Sequence, residues 1–171
     1  QFPQGVYAGL AKLKIKKLGG TTASVAQSSI PNLDYGRYHA LVIGNNDYDH
    51  LPNLKTAIND ATKVASVLEN NYGFSVKLLK NASRSNIVSA LSAFRKTISR
   101  DNNFLLYYAG HGHLDEAANE GYWLPVDAEL DDPSNWLQND TIVAQLRAME
   151  AKHVMVVADS CFSGTITRGI N

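Results

Sequence analysis

The chain has 171 residues, 44% of them hydrophobic, and its 16 basic and 16 acidic side chains give a formal charge of zero. That length suits one domain with one real core, and the balanced charge gives no sign of a nucleic-acid or membrane surface. No apolar run approaches the roughly 20 residues of a membrane-spanning helix, and a single Cys excludes an internal disulfide and a multi-cysteine zinc site.

Residues 1–37 differ from the rest. Lys12, Lys14, Lys16 and Lys17 partly alternate with Leu13, Ile15 and Leu18, and Gly19-Gly20-Thr21-Thr22 and Ser28-Ser29 follow. The pattern predicts a short basic strand and a polar linker, a solvated arm rather than a binding element. The chain begins at Gln1 rather than Met, as a processed product would. A Cys that must stay reduced suits the cytosol; a removed signal peptide would instead mean a secreted or periplasmic protein.

From residue 38 onward a regular domain is expected, over 38–171. Ala40-Leu41-Val42-Ile43 is a continuous apolar strand ending at Gly44, and a loop runs from Asn45 to Pro52. Ile58, Ala61, Ala65 and Leu68 share one helical face, and Tyr72-Gly73 ends that helix. Phe74 to Leu79 alternates as a strand. Ser83 caps a helix carrying Ile87, Leu91, Phe94 and Ile98. Phe104 to Tyr108 is the third strand, and Gly121 to Val126 a short extension or hairpin arm. Asn139 or Asp140 caps a helix with Ile142, Val143, Leu146 and Met149, and Val154 to Ala158 is the fourth strand. Strands alternating with helices predict an α/β fold, a mostly parallel sheet flanked by helices on both faces.

Two segments bear the chemistry. Tyr107-Tyr108-Ala109-Gly110-His111-Gly112-His113 follows the third strand, and Ala158-Asp159-Ser160-Cys161-Phe162-Ser163-Gly164 follows the fourth. In an open α/β sheet, sites form outside the carboxyl ends of the strands. A thiol and an imidazole delivered there are the minimum for nucleophilic catalysis. Gly110 and Gly112 would let the backbone beside His111 turn sharply and approach a ligand. No phosphate-binding glycine loop and no nucleophile elbow around a serine is present. His111, His113 and Cys161 lack a usual zinc spacing and a fourth ligand, so no metal site is expected.

On these residues the chain resembles the caspase and metacaspase clan of cysteine peptidases, most of all its bacterial branch, the orthocaspases. His111 and Cys161 stand about fifty residues apart, the caspase spacing. Asp159-Ser160-Cys161-Phe162-Ser163-Gly164 is the metacaspase-like form of the nucleophile segment. Ala40 to Tyr48 and Leu54 to Ala61 look like the family's first strand and the helix start after it. The resemblance covers about residues 38–168.

It implies peptide-bond hydrolysis through an acyl-enzyme, with Cys161 as nucleophile and His111 as general acid–base. The backbone N–H groups of Gly112 and Cys161 would form the oxyanion hole, Gly112 turning its N–H toward the substrate. Asp60, at the start of the first helix, and Asp159 match the acids that line the metacaspase specificity pocket, which implies cleavage after Arg or Lys. No residue that orients His111 is identifiable; His113 is better read as a loop histidine near the site. No cofactor is expected. Asp127, Asp131, Asp132 and Asp140 offer oxygen ligands for calcium, but Arg168 and Asn139 stand where acids would be wanted, so calcium dependence is not expected.

The chain stops ten residues after Cys161, where the family fold continues with further strands. It therefore resembles the large subunit of a precursor cut by its own activity, with a small subunit or C-terminal remainder as partner beside peptide and protein substrates. Two other readings stay open: a proteolytically silent caspase-like scaffold or signalling domain, and an unrelated flavodoxin-like domain with a ligand pocket around Asp159.

Overall fold

The computed structural model describes residues 36–160. The expected basic strand and linker over 1–37 lie outside the described residues apart from Gly36 and Arg37. Cys161 and the residues after it lie outside as well.

Strand β1 (Arg37–Gly44) ends in five consecutive buried residues, as expected of a strand covered on both faces. Helix α1 (Ala57–Tyr72) turns Ala57, Ala61 and Ala65 to the sheet. It stops at Gly73, whose φ of 70° is left-handed and whose N–H donates to the Leu68 carbonyl. Strand β2 (Ser75–Lys80) follows. Helix α2 (Arg84–Thr97) starts at Ser83, whose hydroxyl accepts the Asn86 N–H while the Asn86 side chain accepts the Ser83 N–H. Strand β3 (Asn102–Ala109) is again almost wholly buried.

The chain then leaves the main sheet. Strand β4 (His111–Asp115) pairs antiparallel with β5 (Glu120–Leu124), and a single 3₁₀ turn (Pro133–Asn135) leads to the short β6 (Leu137–Gln138) beside β5. Helix α3 (Asn139–Arg147) and strand β7 (His153–Asp159) complete the described residues. α3 does not begin on an Asn139 or Asp140 cap. Gln138 precedes the helix in extended conformation with no side-chain cap bond. The reason is that Gln138 still pairs with Tyr122 as part of β6, so the strand runs directly into the helix. Met149 lies beyond the helix but is buried.

The main sheet has the order β2-β1-β3-β7, and all three of its pairings are parallel. On one face Leu41, Ile43, Phe104, Leu106 and Tyr108 pack with Ile87 and Leu91 of α2 and Ile142 and Leu146 of α3. On the other, Ala40, Val42, Tyr107 and Ala109 pack with the three alanines of α1. This is the α/β architecture expected from the sequence, with helices on both faces. Trp123 of the small sheet stacks on Tyr108, ring centroids 4.3 Å apart and planes within 10°, so the hairpin is anchored in the main core.

Candidate active site

The strand registers align the carboxyl ends of the sheet. Gly44 lies beside Lys80 on one side and Ala109 on the other, and Ala109 lies beside Asp159. His111 comes two residues beyond the end of β3 at Ala109 and Ser160 one beyond the end of the neighbouring β7 at Asp159. An ideal Cβ built on Gly112 would sit 3.1 Å from the Ser160 hydroxyl oxygen. The segment leading to Cys161 therefore meets the segment that follows His111. Cys161 itself lies outside the described residues.

His111 opens β4, opposite Leu124, and is half-buried. Its Nε2 lies 2.8 Å from the Pro52 carbonyl. A carbonyl only accepts, so Nε2 carries the proton there and the neutral ring keeps its lone pair on Nδ1. The His111 backbone N–H donates to the Tyr48 hydroxyl at 2.8 Å, and the Tyr48 ring lies 4.7 Å from the imidazole, tilted by 55°. The Tyr108 hydroxyl sits 2.8 Å from the His111 carbonyl and 2.9 Å from the Leu124 carbonyl, its one proton serving either. The Tyr48 and Tyr108 hydroxyls also hydrogen-bond each other. Burial raises the Tyr48 phenol above its usual value and, with Tyr48 alongside, pushes that of Tyr108 well above it.

The glycines around His111 serve a purpose other than the turning expected of them. Neither Gly110 nor Gly112 has a positive φ, and Gly112 is part of β4. What they supply is room. A Cβ at Gly110 would lie 2.6 Å from the Tyr108 hydroxyl and 2.8 Å from that of Tyr48, while one at Gly112 would press on Ser160. Gly110 leaves space for the two phenol hydroxyls and Gly112 for Ser160.

Asp60 lies in the first turn of α1 and Asp159 closes β7. The two carboxylates act on the same phenol: the Tyr107 pKa is raised by burial, then by Asp159 and by Asp60. Tyr107 packs on the α1 side of the sheet. His113 stands one strand repeat outward from His111, across from Tyr122, with its ring 4.6 Å from that of Trp136. Of the acids with calcium-ligand chemistry, Asp127 accepts the Arg84 N–H at 2.9 Å and Asp132 accepts the Ser134 N–H at 2.8 Å. Hydrogen bonds from the Ser134 N–H and hydroxyl hold the Asp132 carboxyl below its usual value.

Sequence reading missed Tyr48, Tyr108 and the Pro52 carbonyl. Their contacts with His111 join residues 63, 3 and 59 positions apart. The sequence signal was confined to the loop Asn45 to Pro52 after the first strand, whose length and polarity mark a functional loop without saying what it holds.

Residues 37–170 match the model of the caspase domain. Metacaspase-1 of Saccharomyces cerevisiae is 29% identical over 150 residues, covering 77% of this chain and 34% of that protein. Metacaspase-1B of Aspergillus oryzae is 28% identical over 150 residues, covering 76% and 35% respectively. The chain thus spans about a third of the length of these curated relatives. Among solved structures, protein GSU0716 of Geobacter sulfurreducens superposes with a TM-score of 0.63 at 27% identity, over 77% of this chain and 53% of that one.

Proposed function

The chain belongs to the caspase-domain family of cysteine peptidases, and from that premise we propose that it is an endopeptidase cleaving after Arg or Lys through His111 and Cys161. The observation that carries this reading is the Pro52 carbonyl 2.8 Å from His111 Nε2. It leaves Nδ1 as the proton acceptor, and the closeness of Ser160, the residue before Cys161, to Gly112 supports a thiol partner for it.

The thiol of Cys161 gives its proton to His111 Nδ1, and the sulfur attacks the scissile carbonyl carbon. The resulting oxyanion takes hydrogen bonds from the N–H groups of Gly112 and Cys161; one such donor stabilises the transition state by roughly 3 kcal/mol. The imidazolium then protonates the leaving amine and the C–N bond breaks, leaving a thioester. Water, deprotonated by His111, attacks that thioester and releases the carboxylic acid and the thiol. Asp60 and Asp159, which both act on Tyr107, pair with the guanidinium or ammonium of the residue before the scissile bond.

In this reading residues 38–171 form the large-subunit region of an orthocaspase-like precursor, preceded by a basic arm over 1–37. The precursor cuts itself beyond Cys161, and the C-terminal remainder stays bound as a small subunit. Among the described residues β7 is an edge strand of the main sheet, which supports that partner. Met155 is 59% exposed, and an apolar groove of ≈ 230 Å³ lined by Val143, Leu146, Met149 and Val154 runs alongside.

Fluorogenic peptides ending in Arg, Lys or Asp test the proposal on the full-length protein. Cleavage after Arg and Lys is expected, abolished in Cys161→Ala and in His111→Ala, with Cys161 labelled by iodoacetamide in the active form. Mass spectrometry should show self-cleavage fragments that Cys161→Ala lacks. Full turnover by folded Cys161→Ala refutes the mechanism, and a preference for Asp refutes the specificity.

A further inference from the structure

We propose that Tyr48 is the positioning residue of His111, its hydroxyl working with that of Tyr108 to hold the imidazole on the Pro52 carbonyl. This rests on the reading of His111 as the acid–base of the site.

Both main-chain polar groups of His111 end on phenol oxygens, the N–H on Tyr48 and the carbonyl on Tyr108. Backbone position is therefore fixed from two sides. The ring is fixed from two more, by the face of Tyr48 at 4.7 Å and by the Pro52 carbonyl on Nε2. Tyr48 and Pro52 belong to one short loop, and that loop is itself tied down. The Tyr48 N–H donates to the Asn53 side chain at 2.9 Å, the Asp49 N–H to the Val126 carbonyl at 3.0 Å, and the Leu54 N–H to the Asn46 carbonyl at 2.9 Å. The partner of the ring face and the partner of Nε2 thus keep a constant relation to each other. With backbone, ring plane and one nitrogen all set, the direction of the Nδ1 lone pair follows. Gly110 belongs to the device, since any side chain there would enter the space of the two hydroxyls. Neither tyrosine is assigned a proton-transfer role: a phenol is protonated at neutral pH, and burial raises both further.

Tyr48→Phe keeps the ring and the fold while removing the acceptor. A lost hydrogen bond of this kind slows the chemical step by about tenfold. Tyr48→Leu removes the ring contact as well, and misplacing a catalytic group by about 1 Å costs on the order of 100-fold. For Arg-ending fluorogenic peptides kcat should fall by these factors with KM unchanged, and Gly110→Ala should reproduce the Tyr48→Phe loss by forcing the hydroxyls apart. The direct readout is ¹⁵N NMR of the His111 ring in the full-length protein. Wild type should show the Nε2–H tautomer alone when neutral, and Tyr48→Phe a mixture of both.

Wild-type kcat and a single tautomer in Tyr48→Phe overturn the proposal. So does a loss of activity that merely tracks a lowered melting temperature while the tautomer is unchanged. If the wild type cleaves no peptide, the endopeptidase reading fails on its own. The tautomer then decides: a mixture in Tyr48→Phe supports the positioning role, and a single form overturns it.

Discussion

Asn45 is the residue whose removal should reveal how the end of β1 is held. It is completely buried, its Oδ1 accepts the Ala82 N–H at 2.8 Å, and its Nδ2 donates to the Ala82 carbonyl at 3.3 Å. In Asn45→Ala the carbonyl keeps a partner, because the Val126 N–H also donates to it at 3.2 Å. The Ala82 N–H loses its acceptor, and Ala82 is only 2% exposed. An orphaned buried donor costs about 1–3 kcal/mol and a lost ordinary hydrogen bond about 1 kcal/mol, giving roughly 2–4 kcal/mol in all. For a chain of this size that is a fall in melting temperature of about 5–15 °C. Asn46→Ala is the control. Its Oδ1 accepts the Ile58 N–H at 3.1 Å in a half-buried setting, where water can take over, so about 1 kcal/mol or less is expected. Urea unfolding of the full chain, followed by circular dichroism and by tryptophan fluorescence, measures both. Equal losses in the two variants, or less than about 1 kcal/mol for Asn45→Ala, would refute the burial argument.

Two further outcomes follow from the site. Unfolded phenols ionise near the usual value of about 10, whereas folded Tyr108 and Tyr48 hold their protons to higher pH. The folded state then binds more protons than the unfolded one, so this contribution is complete below pH of about 10 and is lost as pH rises beyond it. Urea melts across that range should show the decline, and Tyr108→Phe should flatten it; an unchanged slope counts against the buried phenol pair. Asp60→Asn and Asp159→Asn should each lower kcat/KM for Arg- and Lys-ending peptides by about 30-fold or more. Undiminished cleavage by both variants removes the carboxylates from the specificity pocket.

Much of the fold was readable because its signals are local. Continuous apolar runs marked β1, β3 and β7, Ser83 marked the start of α2, and Gly73 the end of α1. The hairpin arm from Gly121 was half-seen, but its partner β4 was read as a glycine turn because His111-Gly112-His113 carries no strand-like alternation of apolar residues. The α3 cap was misplaced because Gln138 is committed to β6 by pairing with Tyr122, a contact that no window around residue 138 displays. The site divides in the same way. Motif spacing singled out His111, while Asp60 and Asp159 were picked out by the family resemblance. What holds His111 comes largely from a loop some sixty residues earlier in the chain, and the purpose of Gly110 is visible only once the Tyr48 hydroxyl from that loop has been placed beside it with that of Tyr108.

The pairing pattern of the main sheet has a consequence for the order in which the molecule assembles. Each ladder joins segments tens of residues apart: His39 lies beside Ser75 and Phe104, and Phe104 beside Val154. Closing such loops costs chain entropy before any contact repays it, so sheets of this kind form slowly, on the order of milliseconds to seconds. The β4–β5 hairpin needs only its own few residues, and hairpins form in about 1–10 μs. His111 therefore sits on an element able to close early. Among the described residues, the strand that leads to Cys161 lies at the end of the sheet, paired with β3. Its ladder with β3 spans about fifty residues, so it is expected to dock after the hairpin has closed, and the imidazole and the thiol come together only when that long-range pairing forms.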